Sequence, residues 1–254
     1  MPEANPSIDF TEINSRIIIS IGATGGSGTR VFGKILRHSG VYIGKNVNNS
    51  EDSTDLISAI SELAVKGEIL LKQLGNINPD IEDINIWHKS LKSHFKHHSG
   101  ERYWGWKNPR SMFLLPYSVA LFPEMRFIHV IRDGREMATS SNSRQYDLHV
   151  PGGSQSFTDK AAFWARSNIA VAEFGRRHLA NRYILVRYED LVLDPINVSN
   201  TLIQQLDLPS AIETFQSEEP IAPRQRRFDL LSQAERDSIE RAAMPGLIEF
   251  GYVG

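Results

Sequence analysis

A short apolar run that ends in a glycine-rich loop is the feature that most constrains this chain. Residues 17–21 are four isoleucines around one serine, a composition typical of a buried parallel strand. The following loop, residues 22–28, holds four glycines, whose backbone N–H groups can turn inward around an anion. Helical spacing of apolar residues resumes from Thr29, so a helix N-terminus faces the same point. The pattern predicts a phosphate-binding loop.

Two common phosphate loops do not match this sequence. A nucleoside-triphosphatase loop reads G-x-x-x-x-G-K-[ST], and when the count starts at Gly22 the lysine position is Gly28. The dinucleotide-binding fingerprint also fails, because residues 26–31 lack its third glycine. Taken alone, the loop fits either a different phosphate cradle or a structural tight turn.

Length and composition favour a single domain over residues 1–254. Hydrophobic residues make up 41% of the chain, enough for a sizeable core, and no repeat or low-complexity linker divides it. The formal net charge of −2 argues against a general nucleic-acid or membrane binder. Because there is no cysteine, disulfides, thiolate metal sites and a cysteine nucleophile are excluded.

The N-terminus lacks the pattern of a signal peptide, and no run reaches the roughly 18 apolar residues of a membrane span. We therefore expect a soluble, cytoplasmic protein.

Apolar periodicity predicts strands that alternate with helices. Further strands are predicted at residues 41–43, 103–106, 126–131 and 183–188, and helices from about residues 29, 53, 114, 134, 157, 195 and 232. Residues 68–98 give only weak helical signals. This order predicts an α/β fold, a three-layer sandwich with a central parallel sheet that binds ligands at the carboxyl ends of its strands.

Basic motifs lie at or just beyond the ends of three predicted strands. They are Lys107-Asn-Pro-Arg110, Arg132-Asp-Gly-Arg135 and Arg187-Tyr188-Glu-Asp-Leu. Ser140 and Arg144 follow the second motif, and on a helix that begins near Gly134 they would share one face. Arginine suits phosphate binding because its planar guanidinium presents a fork of donors to phosphate oxygens.

Together with the glycine loop, these motifs resemble the sulfotransferases that use 3′-phosphoadenylyl sulfate (PAPS), most closely in the style of the tyrosylprotein sulfotransferase branch. The resemblance covers about residues 16–195 and leaves residues 196–254 as a helical and loop extension. It implies a P-loop-like fold and transfer of a sulfuryl group to a hydroxyl or amine, with release of 3′-phosphoadenosine 5′-phosphate (PAP). It requires no metal.

The resemblance also assigns the donor's two anionic groups. The 5′-phosphosulfate falls to Gly25, Gly26, Ser27, Gly28, Thr29 and Arg30, and the 3′-phosphate to Arg132, Ser140 and Arg144. Tyr188 is expected near the nucleotide, or else is a core aromatic residue at a strand end. Arg226, in the basic cluster 224–227, would close over the 3′-phosphate or an acidic acceptor; the alternative is a solvated run of charge.

The catalytic groups are less directly indicated. Many family members carry a lysine or arginine immediately before Ser-Gly-Thr, where this chain has Gly26. We therefore expect Lys107, which matches the lysine of the family's Lys-Asp/Asn-Pro motif, to be the transition-state cation, with Arg30 on the donor phosphate. The expected general base is Asp52, which could instead cap a helix, and His88 is a second candidate.

Two other functional classes stay open at this point. A P-loop kinase or nucleoside triphosphatase is disfavoured by Gly28. A regulatory protein that binds PAP without chemistry is compatible with Gly26. The expected partner is a small-molecule, glycan or lipid acceptor and not a nucleic acid, and the sequence indicates neither the acceptor's identity nor an oligomeric state.

Overall fold

The structure is a computed structural model that describes residues 13, 15–73, 78–142, 144–209 and 227–253. Within these ranges, five strands form one sheet in the order β2-β3-β1-β4-β5, and every neighbouring pair is parallel. The strands are β1 Ile17–Ala23, β2 Val41–Tyr42, β3 Tyr103–Lys107, β4 Arg126–Ile131 and β5 Tyr183–Arg187.

Helices connect the strands and cover both faces of the sheet. They are α1 Thr29–His38, α2 Ile57–Leu71, α3 Ile81–Phe95, α4 Leu115–Leu121, α5 Gly134–Ala138, α6 Arg144–His149, α7 Phe157–Leu179, α8 Tyr188–Leu193, α9 Pro195–Gln205 and α10 Gln233–Glu249. Short 3₁₀ helices occupy Thr54–Leu56, Pro109–Leu114, Ala180–Arg182 and Arg227–Leu230. No helix of the described ranges is long and apolar enough to cross a bilayer.

The predicted three-layer α/β sandwich is confirmed. Side chains of successive strand residues point to opposite faces, so each strand contributes to two cores. One face packs against α2, α3, α4 and α7, and the other packs against α1 and α9. The strand residues are Ile18, Trp104, Trp106 and Phe127 on the first face, and Ile19, Ile21, Ile128 and Val130 on the second.

Helix α3 is well formed, although residues 68–98 gave only weak helical signals in the sequence. Its apolar residues Trp87, Leu91 and Phe95 recur every fourth position and are fully buried. The apolar periodicity of residues 81–95 is weak for two reasons. Polar residues separate the apolar ones, and two of the buried positions are the polar residues Asp83 and His94. Asp80 caps the helix by accepting a hydrogen bond from the Glu82 N–H.

The prediction that Ser140 and Arg144 share one helix is wrong. Helix α5 ends at Ala138, and α6 begins at Arg144. The Thr139 hydroxyl donates to the Glu136 carbonyl (3.0 Å), and the Ser140 Oγ accepts from the Asn142 N–H (3.2 Å). Such local side-chain bonds compete with the helical backbone pattern, so a hydroxyl- and amide-rich segment interrupts the helix.

His129 of β4 is a fully buried polar residue beneath the sheet's apolar surface. Its Nδ1 lies 2.7 Å from the Tyr183 hydroxyl and its Nε2 lies 3.0 Å from Asn168 Oδ1. Burial lowers the pKa of His129 to about 3, so the ring is neutral in the folded protein.

We predict that His129 makes the protein less stable in mild acid. The unfolded chain protonates this histidine below about pH 6.5 whereas the folded chain does not, so stability falls by about 2 kcal/mol between pH 7 and pH 5. Urea unfolding at both pH values should show a smaller loss for His129→Gln than for the unchanged protein. The exposed His97 gives the control. An equal loss for His129→Gln and His97→Gln would contradict the assignment.

Candidate functional site

A cleft of about 300 Å³ lies at the carboxyl ends of the strands. Strand register creates it, because Ile21 of β1 stands opposite Lys107 of β3, and Ala23 stands opposite Val130 of β4. Residues far apart in sequence therefore meet at one edge. The cleft is lined by Gly26, Gly28, Thr29, Arg30, Val31, Ser50, Asp52, Lys107, Pro109, Arg132, Asn142 and Tyr188.

The glycine loop ends in the first turn of α1. Gly28, the residue before the helix, has φ of 81°, a left-handed conformation that glycine adopts without strain. A Cβ at this position would stand 2.3 Å from the Tyr188 ring. The first-turn N–H groups of α1, including those of Thr29 and Arg30, have no acceptor within their own helix. The loop therefore offers an anion a set of backbone donors at the positive end of a helix.

Two of the predicted loop ligands, Ser27 and Gly25, face inward in this structure. Ser27 is fully buried, and its Oγ donates to the Thr24 carbonyl at 2.7 Å. The Gly25 N–H donates to Gln145 Oε1, and Gln145 Nε2 donates to the Ala23 carbonyl at 3.3 Å. These contacts shape the loop from within and join it to α6.

Gly26 explains why this chain has no cation before Ser-Gly-Thr. Its φ is 102°, a conformation that a lysine or arginine would adopt only with strain. Its carbonyl accepts a hydrogen bond from Arg132 Nη1 at 3.3 Å. A lysine or arginine at position 26 would therefore be strained in this loop geometry, and the cations that line the cleft lie on other elements.

The predicted second anion site lies directly beside this loop. The Arg132 guanidinium stacks 5.3 Å from the centroid of the Tyr188 ring. The Ser140 hydroxyl lies 3.6 Å from the point where a Cβ of Gly26 would stand. Arg144 is exposed at the start of α6. The structure therefore brings Arg132, Ser140 and Tyr188 to the glycine loop.

The other residues of the Arg132-Asp-Gly-Arg motif are structural. Asp133 caps α5 by accepting from the Arg135 N–H, and its carboxylate also pairs with the Arg135 guanidinium at 2.8 Å. Arg135 in turn reaches Glu240 of α10 at 3.3 Å. A Cβ at Gly134 would stand 2.3 Å from the Trp164 ring. The motif thus fixes α5 and α10 while Arg132 faces the cleft.

Lys107 and Asp52 meet in the same cleft. The Lys107 Nζ lies 2.6 Å from Asp52 Oδ1 and donates to the Ser50 carbonyl at 2.6 Å. Lys107 is only 1% exposed. Burial lowers the pKa of Lys107, and the Asp52 carboxylate opposes this effect. Asp52 lies in the loop before the 3₁₀ helix Thr54–Leu56, whose N-terminal flanking residue is Ser53, so the expected loop-to-helix position is correct.

Four arginines at or near the cleft form no ion pair with a carboxylate among the described residues. They are Arg30, Arg110, Arg132 and Arg144, whereas Arg37, Arg126, Arg135, Arg176 and Arg182 each pair with a carboxylate. Sequence reasoning did not single out Arg110, although it directly follows Lys107-Asn-Pro. Burial lowers the pKa of Arg110; the Asp52 charge opposes this and the Arg144 charge adds to it. Positive charge without counterions favours an anionic ligand.

The structure does not bring the two remaining candidates, His88 and Arg226, to the cleft within the residues that it describes. His88 is on α3, which packs against α2 and α4, and it is not among the cleft-lining residues. Arg226 lies outside the described residues. Among the residues that the structure describes, no group of three or more histidine, aspartate or glutamate side chains could hold a metal ion.

Comparisons with known proteins agree on one family. A sequence model described as "Sulfotransferase family" matches residues 62–212, more than half of the chain. Protein-tyrosine sulfotransferase 1 of Danio rerio is 31% identical over 119 residues, which cover 45% of this chain and 32% of that protein. The chain therefore spans about a third of the length of that relative.

Solved structures share the fold. The sulfotransferase domain of the Synechococcus PCC 7002 olefin synthase superposes with a TM-score of 0.55 at 16% identity, covering 94% of this chain and 95% of that one. Sulfotransferase STF9 of Mycobacterium avium gives 0.59 at 13% identity, covering 93% and 77%. At these identities the likeness shows the fold alone.

We predict that Gly28→Ala destabilises the protein more than Gly40→Ala. Both glycines have positive φ, 81° and 77°, so either alanine costs about 1 kcal/mol of backbone strain. Only at Gly28 would the new Cβ also displace the Tyr188 ring, because nothing lies within 4 Å at Gly40. Urea unfolding of both variants measures the difference. Equal losses in the free energy of unfolding would mean that the Tyr188 ring does not pack against Gly28 as the structure shows.

Proposed function

This chain belongs to the sulfotransferase family, and from that premise we propose that it transfers a sulfuryl group from PAPS to a hydroxyl or amine of its acceptor. The observation that carries the proposal is that two separate elements contribute positive charge without an ion-pair partner to one cleft. Arg30 lies in the first turn of α1, and Arg132 directly follows β4. PAPS carries anionic groups at two separate positions, the 5′-phosphosulfate and the 3′-phosphate, and so fits such a site.

The described residues suit this donor. The N–H groups of Gly28, Thr29 and Arg30 would bind the 5′ phosphate, because a helix N-terminus favours anions. Arg132 would bind the 3′-phosphate together with Ser140 and Arg144, since guanidinium forks match phosphate oxygens. Tyr188 stands between the two groups, in contact with both Gly28 and Arg132. Gly25 and Ser27 would support the loop rather than touch the donor.

The bound donor supplies a sulfur atom that loses its bond to the 5′-phosphate oxygen as a new bond to the acceptor oxygen or nitrogen forms. In this proposal the Lys107 ammonium stabilises the negative charge on the transferring and leaving oxygens. Asp52 accepts the proton that the acceptor loses. PAP, the sulfated acceptor and one proton balance the reaction.

The expected acceptor is a small molecule, a glycan or a lipid that carries the hydroxyl or amine.

Neither the family match nor the neighbouring structures support the kinase alternative. A PAP-binding regulatory protein differs from the enzyme only in failing to transfer sulfate, so an activity assay separates the two.

We predict that Lys107→Met reduces sulfate transfer by about 100-fold or more, because one preorganised cation at the reacting group contributes about this much. Transfer is measured with labelled PAPS on a panel of phenols, sugars, amines and lipids. PAP affinity, measured by calorimetry, should change by less than about threefold, because PAP lacks the transferred group.

Lys89→Met is the matched control, since Lys89 is exposed on α3. Wild-type rates in Lys107→Met would contradict the role of this lysine. PAP binding by the unchanged protein without transfer to any acceptor would instead favour the regulatory alternative.

A further inference from the structure

The two catalytic groups of the proposed mechanism neutralise each other in this structure. The Lys107 ammonium has three donors, and two are taken by Asp52 Oδ1 and the Ser50 carbonyl, both at 2.6 Å. Lys107 is nearly inaccessible, whereas 21% of the Asp52 side chain is exposed to the cleft. In this pair the ammonium and one carboxylate oxygen are directed at each other rather than at a bound substrate.

The segment that carries Ser50 and Asp52 is attached to β3 at its base. Ser53 donates its N–H to the Lys107 carbonyl (2.7 Å), and its Oγ accepts from the Lys107 N–H (3.2 Å). Nearer the tip, Asn48 Oδ1 accepts from the N–H groups of Ser50 and Asp52. The segment is thus a compact turn fastened to β3 below the ion pair.

The tip of this turn is strained. Glu51 has φ of 62°, a left-handed conformation that is uncommon for residues other than glycine. Its side chain is held by Arg37 of α1 at 3.2 Å. Strained backbone that neighbouring contacts hold in place is a feature of segments with more than one useful arrangement.

We propose that the donor's sulfuryl group and Asp52 compete for the Lys107 ammonium, so that donor binding breaks this ion pair and frees Asp52 to act as the base. The inference rests on the proposed function. The exchange replaces one anionic partner of a buried cation by another, which avoids the cost of leaving that cation unpaired. Asp52 keeps positive charge nearby, because Arg110 also interacts with it.

Binding order follows from this competition. Before the donor binds, Asp52 is paired with Lys107 and is not available to accept a proton from an acceptor hydroxyl. After the donor binds, Lys107 contacts its sulfuryl group, and Asp52 is free to contact the acceptor in the same cleft. The enzyme would therefore bind donor first and acceptor second.

We predict that Asp52→Asn increases the affinity for PAPS relative to PAP by about tenfold, the equivalent of about 1.4 kcal/mol. The substitution frees Lys107 for the sulfuryl group, which PAPS has and PAP lacks. Calorimetric titration of each ligand without acceptor measures the ratio and needs no knowledge of the acceptor. Glu51→Gln is the matched control, because it removes one negative charge from the same turn and should change both affinities alike.

A second variant separates the exchange from a general effect of charge. In a Lys107→Met background, Asp52→Asn should leave the ratio of PAPS to PAP affinity unchanged, because no ammonium is left to compete for. The proposed exchange of partners at Lys107 is wrong if Asp52→Asn and Glu51→Gln change the ratio of PAPS to PAP affinity equally, or if Asp52→Asn lowers that ratio. Failure of the unchanged protein to bind either nucleotide would overturn the proposed function itself.

Discussion

Parallel pairing of β1 with β3 and β4 is the constraint on which the site depends. Backbone hydrogen bonds fix Ile21 opposite Lys107 and Ala23 opposite Val130, and all these strands end at the same edge. A shift of register by one residue would turn Lys107 toward the other face of the sheet. The sheet thereby places a glycine loop, a buried lysine and an arginine motif within one cleft of about 300 Å³.

Charge is distributed unevenly over this framework. Away from the cleft, arginines such as Arg135 and Arg176 are matched by carboxylates, and both reach α10, at Glu240 and Glu249 respectively. At the cleft, Arg30 and Arg132 form no ion pair with a carboxylate among the described residues. The lysine is the exception, since Asp52 compensates it. The arginines of the cleft therefore favour an anionic ligand, while Lys107, its most deeply buried cation, is paired with Asp52.

Much of this arrangement could be predicted from the sequence, because strand-ending motifs in a parallel sheet converge regardless of the intervening chain. The convergence of strand ends predicted that Lys107, Arg132 and the glycine loop lie together. It could not reveal that Ser27 faces inward, since the direction of its hydroxyl depends on the backbone dihedrals of the loop. Nor could it foresee the contact between Lys107 and Asp52, which depends on how one turn folds over β3. The break before Arg144 arose from side-chain bonds that apolar periodicity does not register.

In the proposed function one cleft binds two anionic groups of the same nucleotide, and calorimetry with PAP and adenosine 5′-phosphate measures what the second group contributes. Their difference is the 3′-phosphate, whose charge-assisted bonds to Arg132 and its neighbours are worth about 1.5–3 kcal/mol. We predict that the protein binds PAP tenfold to a hundredfold more tightly, that Arg132→Gln removes most of this preference, and that Arg176→Gln, a change at an exposed ion pair, keeps it. Equal affinity for the two nucleotides, or tighter binding of magnesium ATP, would contradict the account.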